Sequence, residues 1–348
     1  MALAWSRLRM SLPSWRPSSD TMKECVEIFA TLGTRLAAFG HTERDKAIIA
    51  SAIEQNGWFT SEDILRAVEA IRLEMLDSEK LTLWLSRYTP TTHPRRVAII
   101  MAGNIPLVGF FDLLCTLCSG HHAYIKPSSK DRVLMEYIVE ELRAIDCDIP
   151  IYKYNPEERY DIAIATGGEQ ANDYFRRHFA GTRHLLRGSR HSVAVLDGGE
   201  SQEELCGLVA DITSYSGLGC RSVSMLFIPE GYTLRLPHST PHNPKLRNTI
   251  RSRRALLTMQ QRNFEEYGAF LALRSAEFPE SLAEVSIQTY NTIADVETWL
   301  AEHRDQLQCV VSHTNLRGAT TNVIPFGRAQ YPTLYDYADG VDTMALLT

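Results

Sequence analysis

The sequence predicts an α/β protein of two lobes, a parallel-sheet domain preceded by helices and followed by a second α/β domain. Three observations carry that prediction. Residues 21–88 place apolar side chains at helical spacing. From Pro94 onward, short unbroken apolar runs alternate with turns and helical stretches, the pattern of a parallel sheet covered by helices. A chain of 348 residues is also long enough for two or three lobes with separate cores.

Taken in order, the first helix runs over Met22–Phe39, with Val26, Phe29, Leu32 and Leu36 on one face, and stops at Gly40. Further helical patterns cover Glu43–Gln55, Ser61–Leu76 and Leu81–Leu85. Arg96–Met101 reads as a buried parallel strand, Gly103–Pro106 as a turn and Leu107–Cys118 as a helix ended by Gly120. Ala123–Lys126 is a second strand, and Ser129 is the expected cap of a helix over Asp131–Ile145. Ile149–Tyr154 and Asp161–Ala165 are strands, and Thr166-Gly167-Gly168 opens a helix over Glu169–Phe179. His184–Leu186 and Ser192–Leu196 follow as short apolar runs, and a helix over Gln202–Tyr215 leads to the turn at Cys220. The remainder reads as strand Met225–Ile228, a Pro/His-rich loop over 237–244, helix Leu246–Tyr267, strand Val285–Tyr290, helix Ile293–His303 and strand Gln308–Val311.

Composition narrows the function classes. Hydrophobic residues at 44% and charged residues at 22% are ordinary soluble usage, and a net charge of −6 gives no basic surface for nucleic acid. The longest apolar stretch, Ile105–Ser119, contains Asp112 and is too short to span a bilayer. Seven scattered cysteines fit a reducing cytoplasm better than a disulfide framework. Residues 1–20 are rich in Arg, Trp and Ser, with no acid before Asp20. A loosely held N-terminus is expected there, with a targeting peptide as the minor reading. Met10 and Met22 leave open an over-extended start.

Cys220 is the candidate nucleophile. It lies in Tyr215-Ser216-Gly217-Leu218-Gly219-Cys220-Arg221-Ser222, directly before an apolar strand. A thiol at such a turn is placed to react rather than to pack, although a lone cysteine by itself reads as structural. Asn104, where a strand meets a helix, suits either turn chemistry or an amide donor to an oxyanion. Lys126 at a strand's carboxyl end suits a ribose or phosphate, or simply solvent. Gly167-Gly168 at a helix start can bring backbone N–H groups to a pyrophosphate, but no GxGxxG is present. Cys115, Cys118, His121 and His122 have a superficial zinc spacing, yet the cysteines continue an apolar helix face, and no metal is expected.

In order along the chain, these motifs resemble the aldehyde dehydrogenase superfamily, and more narrowly its short acyl-CoA reductases, related to the fatty acid reductase component of bacterial bioluminescence systems. The resemblance covers roughly Pro94 to the C-terminus. It rests on Ala102-Gly103-Asn104-Ile105-Pro106, Ser119 to Pro127, Ala165-Thr166-Gly167-Gly168 and Gly217-Leu218-Gly219-Cys220. Arg190 to Asp197, Pro325 to Gln330 and Asp336 to Asp342 are closer to the reductase group. The implied fold is aldehyde dehydrogenase-like. Its expected boundaries are 1–20 as a flexible N-terminus, 21–205 as helical cap plus NAD(P)-binding domain, 206–312 as catalytic domain, and 313–348 as a segment returning to the cofactor domain.

The resemblance implies an NAD(P)H-dependent reduction of an acyl thioester to an aldehyde through an acyl group on Cys220, with Asn104 as oxyanion donor. Lys126, Ser129, Thr166, Gly167 and Gly168 are implied to bind the cofactor, NADPH or NADH. Leu186 falls where aldehyde-oxidising members carry the glutamate that activates water, so slow hydrolysis is expected. Ser129 stands where NAD-selective relatives often carry an acid, which favours NADPH. The implied substrate is acyl-CoA or an acyl carrier, with a homo-oligomer or an acyl-transfer partner protein. An aldehyde-oxidising or CoA-acylating dehydrogenase, and a non-catalytic subunit that scaffolds an acyl-transfer partner, are the rival readings.

Overall fold

The computed structural model describes residues 21–317 and 322–348, which form two compact units, 21–188 with 333–348 and 189–332. The N-terminal stretch 1–20, expected to be loosely held, lies outside the described residues. The sequence reading put its boundaries at 205/206 and 312/313, whereas the units meet at 188/189 and 332/333. The difference has a cause in strand pairing. The strand over His191–Val195 belongs to the second sheet, and so does the short strand Val323–Ile324 near the chain's end.

The first unit opens with α1 (Thr21–Leu36), α2 (Glu43–Gln55), α3 (Ser61–Met75) and α4 (Ser78–Leu85). Thr42, Thr60 and Asp77 cap the last three through side-chain oxygens. Strands β1 (Arg96–Ile100), β2 (His122–Lys126), β3 (Ile151–Lys153), β4 (Ile162–Thr166) and β5 (Arg183–Arg187) alternate with α5 (Phe110–Cys118), α6 (Arg132–Ile145) and α7 (Glu169–His178). All strand pairs are parallel, in the order β3-β2-β1-β4-β5. Near-continuous apolar strands such as Val97–Ile100 bury both faces, as parallel sheets require. The core joins Phe29, Leu32 and Trp84 of the helices to Ile99, Phe110 and Leu113.

The second unit contains β6 (His191–Val195), α8 (Gln202–Thr213), β7 (Val223–Pro229), α9 (Pro244–Met259), β8 (Glu265–Glu266), β9 (Leu271–Arg274), β10 (Glu284–Tyr290), α10 (Ile293–Glu302), β11 (Leu307–Val311) and β12 (Val323–Ile324). The sheet order is β12-β11-β6-β7-β10-β9-β8, and among the described residues only β8 with β9 is antiparallel. The chain then rejoins the first unit, where α11 (Thr343–Leu347) packs on α5.

Three sequence expectations need local correction. Helix α5 starts at Phe110, not Leu107, because Leu107 takes φ +57° and cannot continue a right-handed helix. The helix expected over 246–267 stops at Met259; Gln261 takes φ +54° and β8 and β9 follow. Ser129 does not cap α6, whose cap position is Asp131.

Candidate active site

In the first sheet the chain runs outward from β1 through β2 to β3, then returns to the other side of β1 with β4 and β5. Ligands of open α/β sheets sit at the carboxyl ends of the strands where that order reverses, here β1 and β4. Asn104 lies half-buried in the loop after β1, and Thr166 ends β4, followed by Gly167 and Gly168. Sequence reading and topology therefore bring these four residues to one sheet edge.

Buried polar groups fix both loops. Asn56 Nδ2 donates to the Gly103 carbonyl at 3.3 Å, and the Leu107 N–H donates to Asp131 Oδ2 at 2.9 Å. Asp131 is only 2% exposed, its Oδ1 has no hydrogen-bond partner, and burial pushes its carboxyl pKa well up. Burial thus biases the group toward its neutral form beneath the Asn104 loop. Asn172 on α7 donates from Nδ2 to the carbonyls of Gly167 at 3.2 Å and Arg187 at 3.0 Å. A Cβ on Gly167 would lie 2.8 Å from the Ala171 Cβ, so only glycine fits that turn. Gly168 caps α7 without a side-chain hydrogen bond, which leaves the first N–H groups of a ten-residue helix without that competitor.

Lys126 is exposed at the end of β2, and its carbonyl accepts the Met101 N–H at 3.0 Å. Ser129, three residues on, is exposed. Beside them opens a cleft of about 730 Å³ whose charged lining is Lys126, Arg132 and Lys153 with Glu54 and Glu136.

Cys220 belongs to the second unit and is partly exposed at the amino end of β7. The helix expected to reach Tyr215 ends at Thr213 instead. Buried Tyr215 and Ser216 then take φ +53° and +57°, and Gly217 φ +74°. Two consecutive non-glycine residues in the left-handed region cost about 1–2 kcal/mol each, and such strain clusters at functional sites. A turn closed by the Ser222 N–H on the Gly219 carbonyl, 2.9 Å, carries the cysteine. Asp211, on the preceding helix, is 1% exposed and accepts N–H groups from Gly327 and Ala329 at 2.6 and 3.0 Å. Burial outweighs those bonds and pushes its pKa up to about 7.

The zinc-like residues serve the fold. Cys115 and Cys118 are fully buried, with thiol pKa values pushed up by burial. His121 Nδ1 accepts the Arg95 N–H at 3.1 Å, so Nε2 carries the proton and donates to the Leu347 carbonyl at 2.7 Å. Leu186 lies half-buried on β5 against an apolar cluster that includes Ile100, Tyr160 and Ala165. Asn56, Asp131 and Asn172 escaped the sequence reading as site residues, and Ser192 and Gln330 entered it only as members of longer motifs. Their signal in the structure is burial with a hydrogen-bond partner, which is backbone for all but Gln330.

The fold is that of the aldehyde dehydrogenases. An oxidoreductase from Marinobacter aquaeolei superposes with a TM-score of 0.63 at 12% identity, over 95% of this chain and 82% of that one. An aldehyde dehydrogenase from Bacillus cereus, solved as its NAD+ complex, gives 0.59 at 14% identity over 90% and 78%. Betaine aldehyde dehydrogenase from Staphylococcus aureus, in complex with NAD+, gives 0.60 at 12% over 88% and 73%. No curated protein matches the sequence. Within that fold the chain belongs to the family described as Acyl-CoA reductase (LuxC), which matches residues 58–238, more than half of its length. It is an oxidoreductase. No helix of the described residues is long and apolar enough to cross a membrane.

Proposed function

We propose that the protein reduces an acyl thioester to an aldehyde, with the acyl group carried transiently on Cys220. The observation that carries this reading is a partly exposed thiol at the end of a buried, left-handed turn in a chain of the acyl-CoA reductase family. The Cys220 thiolate attacks the thioester carbonyl carbon. The Cys220 backbone N–H donates to the tetrahedral oxyanion, which collapses and releases the CoA thiolate. Leu186 offers no base to activate water, which protects the acyl-enzyme from hydrolysis.

The first unit suits a dinucleotide on its own geometry. Gly167 provides a turn that a Cβ would fill, Gly168 leaves the α7 N-terminus open to a pyrophosphate, and Lys126, exposed at the end of β2, would bind a ribose. The reduced nicotinamide cofactor, when bound, supplies the hydride that converts the acyl group to a thiohemiacetal on Cys220. That adduct expels the Cys220 thiolate and releases the aldehyde. Ser129 presents no charge against a 2′-phosphate, and Lys126, Arg132 and Lys153 outnumber Glu54 and Glu136 in the adjacent cleft, so NADPH is favoured over NADH.

Replacing Cys220 by Ala tests the reading. Aldehyde formation from acyl-CoA and NADPH should fall to background, while fluorescence titration still detects NADPH binding. Undiminished aldehyde formation would exclude Cys220 as the acyl carrier.

A further inference from the structure

The segment Pro325-Phe326-Gly327-Arg328-Ala329-Gln330 has no part in the chemistry above, yet it is fastened beside the nucleophile turn. Its start is held by α8. Besides the two N–H bonds to Asp211, the backbones of Gly207 and Gly327 touch so closely that a Cβ on Gly207 would lie 2.9 Å from the Gly327 nitrogen. At its other end Gln330, 6% exposed, donates from Nε2 to Ser222 Oγ at 3.2 Å. Ser222 closes the turn that carries Cys220.

A second tether comes from β6. Ser192, fully buried on β6, donates from Oγ to the Cys220 carbonyl at 2.8 Å. Its proton being committed there, the Cys309 thiol is the donor in the 3.1 Å contact with the same oxygen. The sheet is irregular at this point on both sides. Pairing of β6 with β7 slips between Ser192 and Val193, and pairing of β11 with β6 slips between Leu307 and Cys309. Such breaks in strand register, like β-bulges, can re-aim side chains next to functional sites.

We propose that Ser192 and Gln330 are positioning residues for Cys220, and that residues 325–330 form a clamp whose far end is Asp211. This inference rests on the reading of Cys220 as the acyl carrier. The physical need is clear: attack requires the sulfur and the neighbouring N–H to be fixed within a few tenths of an ångström, on a turn that follows two strained residues, Tyr215 and Ser216. The two tethers fix the peptide units on the carboxyl side of the cysteine and leave its thiol untouched.

The test uses the whole chain, with acyl-CoAs from acetyl to tetradecanoyl as probes and the fastest labeller of the wild type chosen. Rapid quench and peptide mass mapping give the rate of acyl transfer to Cys220. In Ser192→Ala, Gln330→Met and Ser222→Ala, the rate at saturating acyl-CoA should fall at least tenfold. The half-saturating acyl-CoA concentration and the NADPH Kd should stay within twofold. Because Gln330 acts through Ser222, the double variant Gln330→Met/Ser222→Ala should be no slower than the slower single variant. Wild-type acylation rates in Ser192→Ala and Gln330→Met would overturn the clamp, as would a double variant slowed by the product of the single effects. Should Ser192→Ala fail to fold, the Gln330 and Ser222 variants decide. A wild-type adduct on any residue other than Cys220 would remove the underlying reading and the clamp together; an adduct on Cys220 with unaffected variants removes only the clamp.

Discussion

At the scale of single residues, Asp131 illustrates how a buried carboxyl can serve as a neutral hydrogen-bond acceptor. It takes the Leu107 N–H, and burial, which penalises its charge, shifts it toward the protonated form. An amide has the same shape and the same accepting oxygen. Asp131→Asn should therefore leave stability in urea nearly unchanged, whereas Asp131→Ala should lower it by about 1–3 kcal/mol through the orphaned N–H. Equal losses in the two variants would mean that the carboxyl is ionised. The residue's role was not legible in the sequence, where it read as the first residue of a helix beside a capping serine. A turn contact over 24 positions leaves no local trace. The turns that carry Asn104, Gly167 and Cys220 were legible because backbone chemistry at turns is written in adjacent residues.

Among the elements, α8 organises much of the second unit. Its Asp211 holds the 325–330 segment, and Glu204 near its start faces His313 Nδ1 at 2.6 Å. The other ring nitrogen faces Asp197 Oδ1 at 3.0 Å. The hydrogen bond to Glu204 is the largest cause of a His313 pKa raised above the ordinary histidine value, with Asp197 adding to it. A raised histidine pKa means that the folded state binds the proton more tightly than the unfolded chain. The stabilisation is complete below about pH 6.5 and disappears as pH rises through the raised folded value. Urea midpoints of the wild type and His313→Gln should therefore differ at pH 6 and converge by about pH 9; a constant difference would show that His313 acts by packing alone.

Elements were more legible than their ends. Periodicity located Glu43–Gln55 with its actual bounds and α1, α3 and α4 to within a few residues, because each carries an apolar face and a stop signal. It failed over 260–267, read as the end of a helix, and assigned no element to Leu271–Arg274, where the run Ala269-Phe270-Leu271-Ala272-Leu273 is too short to tell helix from strand and pairing with β10 decides for strand.

For the molecule as a whole, the first unit draws on distant parts of the chain, whereas the second is one continuous stretch. Residues 333–348 complete the first unit through a polar cluster: Trp84 Nε1 donates to Tyr337 Oη at 2.8 Å, and Tyr88, itself bonded to Tyr337, donates to Asp342 at 2.7 Å. Arg187, buried, pairs with Asp112 at 2.5 Å and donates to Thr343 at 2.7 Å. Tyr337→Phe leaves the fully buried Trp84 indole N–H without its acceptor, and should lower stability by about 1–3 kcal/mol, read as a lower Tm. An unchanged Tm would show that another acceptor takes its place. The sequence supported a return of the C-terminal segment only by resemblance, since no pattern within 333–348 marks what it packs against.

The central claim is a covalent one, and mass spectrometry addresses it directly. Wild-type protein is mixed with an acyl-CoA in the absence of reduced cofactor, and the proteolytic peptide containing residue 220 is weighed before and after NADPH is added. The expected result is that peptide gaining the acyl mass, then losing it as aldehyde appears. Aldehyde produced at a full rate without any acyl mass on that peptide would contradict the mechanism.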